Sequence, residues 1–230
     1  MEHASAALQS MDYAACEAGC LTALAMAGNA RRWSDYARIL LPLQESRRQR
    51  RMIAVDGTVR LGTQGLDGDP VSWLARFAPG CIVVTPTHTK EDAAQLHDAA
   101  RKEKLCVEVL YAVAEGSSWR LAPFRGPLVE VHRPSPDPMW VNRWIGPSGD
   151  PNPEGVVGVH SEGISSAAVE WFVDAAEALG DAALASIDDA ASLDETRTAL
   201  EQCLEGADTH EILHQRLGDT ARALARAEEA

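Results

Sequence analysis

The chain has 230 residues, 46% of them hydrophobic and 24% charged, which is enough apolar material to bury a sizeable core and argues against disorder. The formal net charge of -13 argues against a general nucleic-acid binder, because phosphate neutralisation needs a basic surface. No run of about 18 apolar residues occurs and the first residues lack a basic, then apolar, leader pattern, so a cytoplasmic protein with no membrane partner is expected.

Small and apolar residues recur at Tyr13, Cys16, Cys20, Ala23, Leu24 and Ala27, a spacing of three and four that predicts a helix stopped by Gly28-Asn29. A second helix is predicted from Trp33-Ser34 through Tyr36, Ala37, Leu40, Leu41 and Leu43, kinked at Pro42 and running to about Ile53. The run Asp12-Tyr13, Cys16, Cys20, Ala23-Leu24 and Ala27 resembles the second helix of a tetratricopeptide repeat, over about one repeat, with cysteines where that motif prefers alanine and a large aromatic. The resemblance implies a helical hairpin of the kind used for protein contacts.

Glycines and aspartates cluster over residues 56–70, with Val55, Val59 and Leu61 as apolar alternates, and predict a turn or short hairpin. The run from Cys81 to Thr85 then reads as a strand buried on both faces. Residues 89–104 read as an amphipathic helix opened by a Thr89/Asp92 capping box, and residues 105–113 as a second strand. That is a βαβ unit. A third strand is expected over 128–132, after a turn at Arg125-Gly126-Pro127.

Six of the twelve prolines fall within residues 134–163, a density that predicts a long loop with no regular element. Trp140 and Trp144 within it are expected to pin the loop to the core, or else to meet a ligand or partner. Beyond it, helices are predicted around Trp171 to Leu179 ending at Gly180, around Leu184 and Ile187, from Leu193 to Leu204, and from Leu213 to Leu224. The expected architecture is a mixed α+β or α/β fold with a helical hairpin (1–55), a small βαβ-containing sheet (56–133), a Pro/Gly-rich loop (134–163) and C-terminal helices (164–230).

One motif carries chemistry on its face. His210-Glu211-Ile212-Leu213-His214 fits the H-E-x-x-H pattern, in which two imidazoles one helical turn apart ligate zinc and the glutamate deprotonates a metal-bound water. Glycine is absent from the third position beyond His214, where Leu217 stands, and a third ligand has to come from elsewhere, for instance His132 or His160. Asp208 with Glu211 three residues on also reads as a capping box.

Other candidates are thinner. Cys16 and Cys20 share a helix face but lack a second pair at zinc spacing. The loop over residues 85–89, with Thr87, His88 and Thr89 at a strand end and a helix start, is a candidate binding loop for a small molecule or nucleotide, although it holds no glycine. Arg47, Arg48, Arg50 and Arg51 form a local basic patch that reads as an exposed face paired with acidic helices, or as an RNA or phosphate site. There is no G-x-S-x-G, Cys81 and Cys106 sit in expected strands, and His160-Ser161-Glu162 are neighbours without defining a triad. The reading that needs no missing part is a non-catalytic interaction or scaffold protein with an unidentified protein partner and no cofactor. The alternatives are a zinc hydrolase through His210, His214 and Glu211, and a ligand binder through the 85–89 loop.

Overall fold

The structure is a computed structural model that describes residues 2–63, 69–138, 140–141, 144–145 and 162–229. In chain order its elements are α1 (Glu2–Gln9), α2 (Tyr13–Asn29), α3 (Trp33–Val55), β1 (Thr58–Leu61), α4 (Pro70–Ala75), β2 (Gly80–Val84), α5 (Lys90–Lys102), β3 (Val107–Glu115), β4 (Ser118–Leu121), β5 (Val131–Pro134), β6 (Trp144–Ile145), α6 (Glu162–Ala185), α7 (Leu193–Gly206) and α8 (Glu211–Glu229). The fold class is mixed α and β, as expected. The chain forms two compact units. A helical unit takes residues 1–50, 125–127 and 183–230, and an α/β unit takes residues 51–124 and 128–182. The C-terminal residues that the sequence groups as one helical region are thus divided between the units, at the C-terminal end of α6.

In the helical unit, α2 starts at Asp12, whose side chain accepts from the Ala15 N–H at 3.0 Å, a capping bond that satisfies one orphan donor. The helix ends at Asn29, at the expected Gly28-Asn29 stop. A Cβ on Gly28 would meet the Tyr36 ring of α3 at 3.6 Å, an ordinary contact, so α3 packs beside this position. The reversal comes two residues later at Arg31, whose φ is +51°. With Gly28 beside Tyr36 and the Cys16 thiol donating to the Pro42 carbonyl at 3.7 Å, α2 and α3 form an antiparallel hairpin. Pro42 lies inside α3 without ending it. α1 was not legible in the pattern; it docks by Ala4, which is buried against Gly19 of α2.

The other helices complete the core with Leu200, Cys203 and Leu204 of α7 and Leu213, Leu217, Ala221 and Leu224 of α8, all buried. Trp33 ties the start of α3 to the end of α8. Its indole N–H donates to Glu228 at 3.0 Å, and the guanidinium groups of Arg31 and Arg197 lie 5.4 and 5.1 Å from its ring centre. The Gly126 turn, φ +83°, passes so close to the Gln202 carbonyl of α7 that a Cβ would sit 2.4 Å from it, so this position excludes any side chain.

The α/β unit is built on a six-stranded sheet in the order β5-β4-β3-β2-β1-β6. β1, β2 and β3 are parallel, and the remaining pairings are antiparallel. Because strand side chains alternate in direction, β2 feeds both layers. Ile82 and Val84 join Trp73, Leu74 and Phe77 of the α4 region and Ala93, Leu96 and Ala100 of α5. Cys81 and Val83 join Ala168, Phe172, Ala175 and Leu179 of α6 on the opposite face. The βαβ unit expected from residues 81–113 is present, and β1–α4–β2 adds a second crossover before it.

Several expectations are corrected here. Among its described residues the 56–70 region holds β1, a parallel neighbour of β2 and not one arm of a hairpin with it, and the start of α4, which opens on an Asp69 cap and a first-turn proline. The third strand begins at Val131 rather than Leu128, which is 97% exposed. β4 lies between β3 and β5, and β6 falls inside the Pro-rich segment. Gly180 does not end α6, because burial of Leu179 and Ala183 on either side outweighs the roughly 1 kcal/mol a helical glycine costs. The outer edge is blunted at β5, where Pro134 has no N–H and its carbonyl accepts from the Trp171 indole at 2.8 Å. No helix among the described residues is long and apolar enough to cross a membrane.

Phe172 fills the layer between α6 and the sheet and is 1% exposed. Phe172→Ala is expected to cost about 3–5 kcal/mol, read as a lower urea midpoint at unchanged slope.

Candidate functional site

The histidines of the H-E-x-x-H run do not stand side by side on a helix. α8 begins at Glu211, and His210 precedes it, its Nδ1 accepting from the Leu213 N–H at 3.4 Å. His210 therefore occupies the capping position that the sequence assigns to Asp208. Glu211, expected to activate water or to close a capping box, is exposed and accepts from Gln215 at 2.8 Å. His214 is buried, and its Nε2 lies 2.9 Å from the Asp208 carbonyl. A carbonyl only accepts, so Nε2 carries the proton and the lone pair sits on Nδ1, which is buried without a hydrogen-bond partner among the described residues.

Each imidazole bonds the backbone through one nitrogen, which by itself does not prevent a histidine from ligating through the other. Among the described residues no group of three His, Cys, Asp or Glu side chains is placed to hold a metal. His132 is exposed on β5, and His160 lies outside the described residues.

What surrounds His214 is a buried ionic network. Glu17, the one charged residue of α2, is buried and accepts from Arg47 Nε at 2.8 Å and from Arg50 Nη1 at 3.3 Å. Arg47 also donates to the Asp208 carbonyl at 3.2 Å, so that one oxygen takes bonds from both Arg47 and His214. Burial pushes the His214 imidazole down to about 4, and the Arg47 guanidinium adds to the effect. The basic run is thus corrected. Arg47 and Arg50 are core residues, Arg48 pairs with Glu45 at 2.9 Å on the surface, and Arg51 pairs with Glu177 of α6. All four pair with carboxylates, so the run is not a row of free cations.

The 85–89 loop connects β2 to α5. The Thr63 hydroxyl, two residues past the end of β1, lies 2.8 Å from His88 Nδ1 and 3.4 Å from the Thr85 carbonyl. Thr87 is exposed, and its hydroxyl lies 3.4 Å from the same nitrogen. Thr89 caps α5, donating to and accepting from Asp92 in the expected capping box. The backbone N–H and hydroxyl of Thr89 hold the Asp92 carboxyl below its ordinary range. An anion at this helix start would meet a carboxylate already in place, which opposes a nucleotide phosphate there. Of the tryptophans, Trp140 packs against the core between the sheet and α6. Trp144 lies in β6 opposite Arg60.

The feature that sequence reasoning missed is the outer side of α2. Ala18, Leu21, Thr22, Ala25, Met26 and Asn29 are exposed, at the three- and four-residue spacing of one helical face, and carry no charge. Leu21 is 45% and Met26 69% exposed, and Met11, between α1 and α2, is 71% exposed. From residue 3 to residue 30 the only acidic or basic side chains besides His3 are Asp12 and the buried Glu17. A helix apolar on both sides is normally covered on both. The signal was present, since Leu21 and Met26 fall off the buried stripe with no charge between them. Comparison of the chain with protein-family models, curated proteins and solved structures finds no match.

Glu17→Gln removes the counter-ion of two buried guanidinium groups and is expected to cost about 3–5 kcal/mol, measured by denaturant unfolding. His214 titrates at about 4 in the folded chain against 6.5 for the free group, so the unfolded chain binds the additional proton. Stability is then full above pH 6.5 and falls by up to about 3 kcal/mol as pH drops toward 4. His214→Gln should flatten that limb of the stability–pH curve; an unchanged slope would remove His214 as its source.

Proposed function

We propose that this is a non-catalytic interaction or scaffold protein whose contact surface is the uncharged outer side of α2 with Met11. The observation that carries the reading is the exposed, charge-free stripe from Ala18 to Asn29 on a chain of net charge -13. Cores of protein interfaces are depleted in charge and enriched in methionine. Exposed contiguous apolar surface on a folded chain marks an interaction site more often than scattered single residues do. The likeness of Asp12-Tyr13, Cys16, Cys20, Ala23-Leu24 and Ala27 to a tetratricopeptide helix supports the same reading, since that family uses helical hairpins for protein contacts. Five unpaired cysteines, four of them buried, suit a reducing compartment such as the cytoplasm.

The other readings have less to stand on. A zinc hydrolase needs a third ligand beside His210 and His214, which no described side chain supplies, and a phosphate binder needs Asp92 removed from the start of α5.

A photo-crosslinking amino acid placed at Met26, with the exposed α8 position Arg222 as control, tests the surface in living cells. Covalent protein adducts at position 26 and none at 222 are expected, and Leu21→Glu should reduce their yield at least tenfold. Absence of adducts at position 26 under conditions where the control chain is expressed and folded would sink the reading.

A further inference from the structure

We infer that Cys16 and Cys20 of α2 form a buried, two-coordinate site for a soft monovalent metal cation, which in a reducing compartment is Cu(I). The site lies on the inner side of α2 and is independent of what meets the outer side.

Two residues four apart on a helix stand one turn from each other on the same face, with Cβ atoms about 5–6 Å apart. Both thiols are closed to solvent, at 0% exposed, and they are hydrogen-bonded to one another. Cys16 donates to the Pro42 carbonyl at 3.7 Å. A carbonyl only accepts, so the Cys16 sulfur is left as the acceptor and Cys20 donates its own S–H to it. The two sulfurs are thereby turned toward one another from neighbouring turns. A cation entering between them asks for side-chain rotation and not for a change of backbone.

The donor set chooses the metal. Zinc closes a structural site with four ligands, and among the described residues no third His, Cys, Asp or Glu is placed to join this pair. Glu17, next in sequence to Cys16, is turned to Arg47 and Arg50 at 2.8 and 3.3 Å. Soft thiolates select Cu(I), a filled-shell ion that two of them satisfy in line. The Pro42 oxygen is a hard donor and adds little to such an ion.

Binding exchanges protons for metal with no change of oxidation state. Both S–H bonds break, two S–Cu bonds form, both protons leave to solvent, and the complex carries one negative charge. Burial first, and then Cys16, push the Cys20 thiol up to about 12, which opposes loading. Glu17 adds to that opposition, though Arg47 and Arg50 are bonded to it and offset its charge. The affinity of paired soft thiolates for Cu(I) outweighs these terms. Entry waits on local opening of the helical unit, and the same closure keeps water and oxidant from the bound ion.

The test is a titration of the full chain, reduced and free of oxygen, with Cu(I) held as its coloured bicinchoninate complex and carried to equilibrium. Transfer of about one Cu(I) per chain is expected, the number that a single two-thiolate site takes. Cys16→Ala and Cys20→Ala should each weaken the transfer at least tenfold, while Cys81→Ala, Cys106→Ala and Cys203→Ala leave it unchanged. Circular dichroism identifies any variant that fails to fold. In that case X-ray absorption at the copper edge of the wild-type chain decides, with two sulfurs in line and no nitrogen expected. Zn(II) added to the same solution should not displace the copper. No transfer, copper held by three or more ligands, or transfer that survives in a folded Cys16→Ala/Cys20→Ala chain overturns the inference.

Discussion

Glu17 is the carboxylate on which the helical unit turns. A buried charge is tolerated only when it is paired and its lone pairs are taken. Arg47 and Arg50, three residues apart on α3, supply both conditions from one direction. This sets the register of α2 against α3 more narrowly than the surrounding cysteines, alanines and leucines could, because apolar contacts are non-directional. Arg47 then carries the constraint onward to the Asp208 carbonyl, and through that oxygen to His214 of α8. The same oxygen thus joins α3 to α8 within the helical unit.

The reach of each signal along the chain explains much of what was legible and what was not. The βαβ segment could be read because its signals are local: an unbroken apolar run in β2, a capping box at Thr89 and Asp92, a stripe at Ala93, Leu96 and Ala100. β1 was obscured because a strand of four residues draws its identity from pairing with β2, which no local pattern records. The same holds for β6, a two-residue strand set among prolines, and for the continuation of α6 past Gly180, where burial overrides propensity. The fate of Arg47 and Arg50 was equally hidden. A run of arginines on a helix is indistinguishable from a solvated face until the partner carboxylate is placed thirty residues upstream.

The candidate surface was missed for a different reason. A search for function in a sequence looks for residues that do something, and the α2 face is conspicuous for what it omits. Its apolar stripe satisfied the expectation of a core-facing helix, so the second stripe of Leu21, Thr22, Ala25 and Met26 passed as helix filler. Only the burial of Glu17 on one side, with Met26 exposed on the other, separates the two faces.

The distribution of cysteines gives each unit its own clock. Cys16, Cys20 and Cys203 are buried in the helical unit and Cys81 in the α/β unit. Burial pushes the Cys20 thiol up to about 12 and Cys81 well above its ordinary value, so these groups stay protonated and unreactive while their surroundings remain closed. Alkylation must then wait for local opening, and the labelling rate at Cys81 against that at Cys20 reports how often each unit breathes. Cys106, half-buried just ahead of β3, reacts ahead of both and supplies the internal zero.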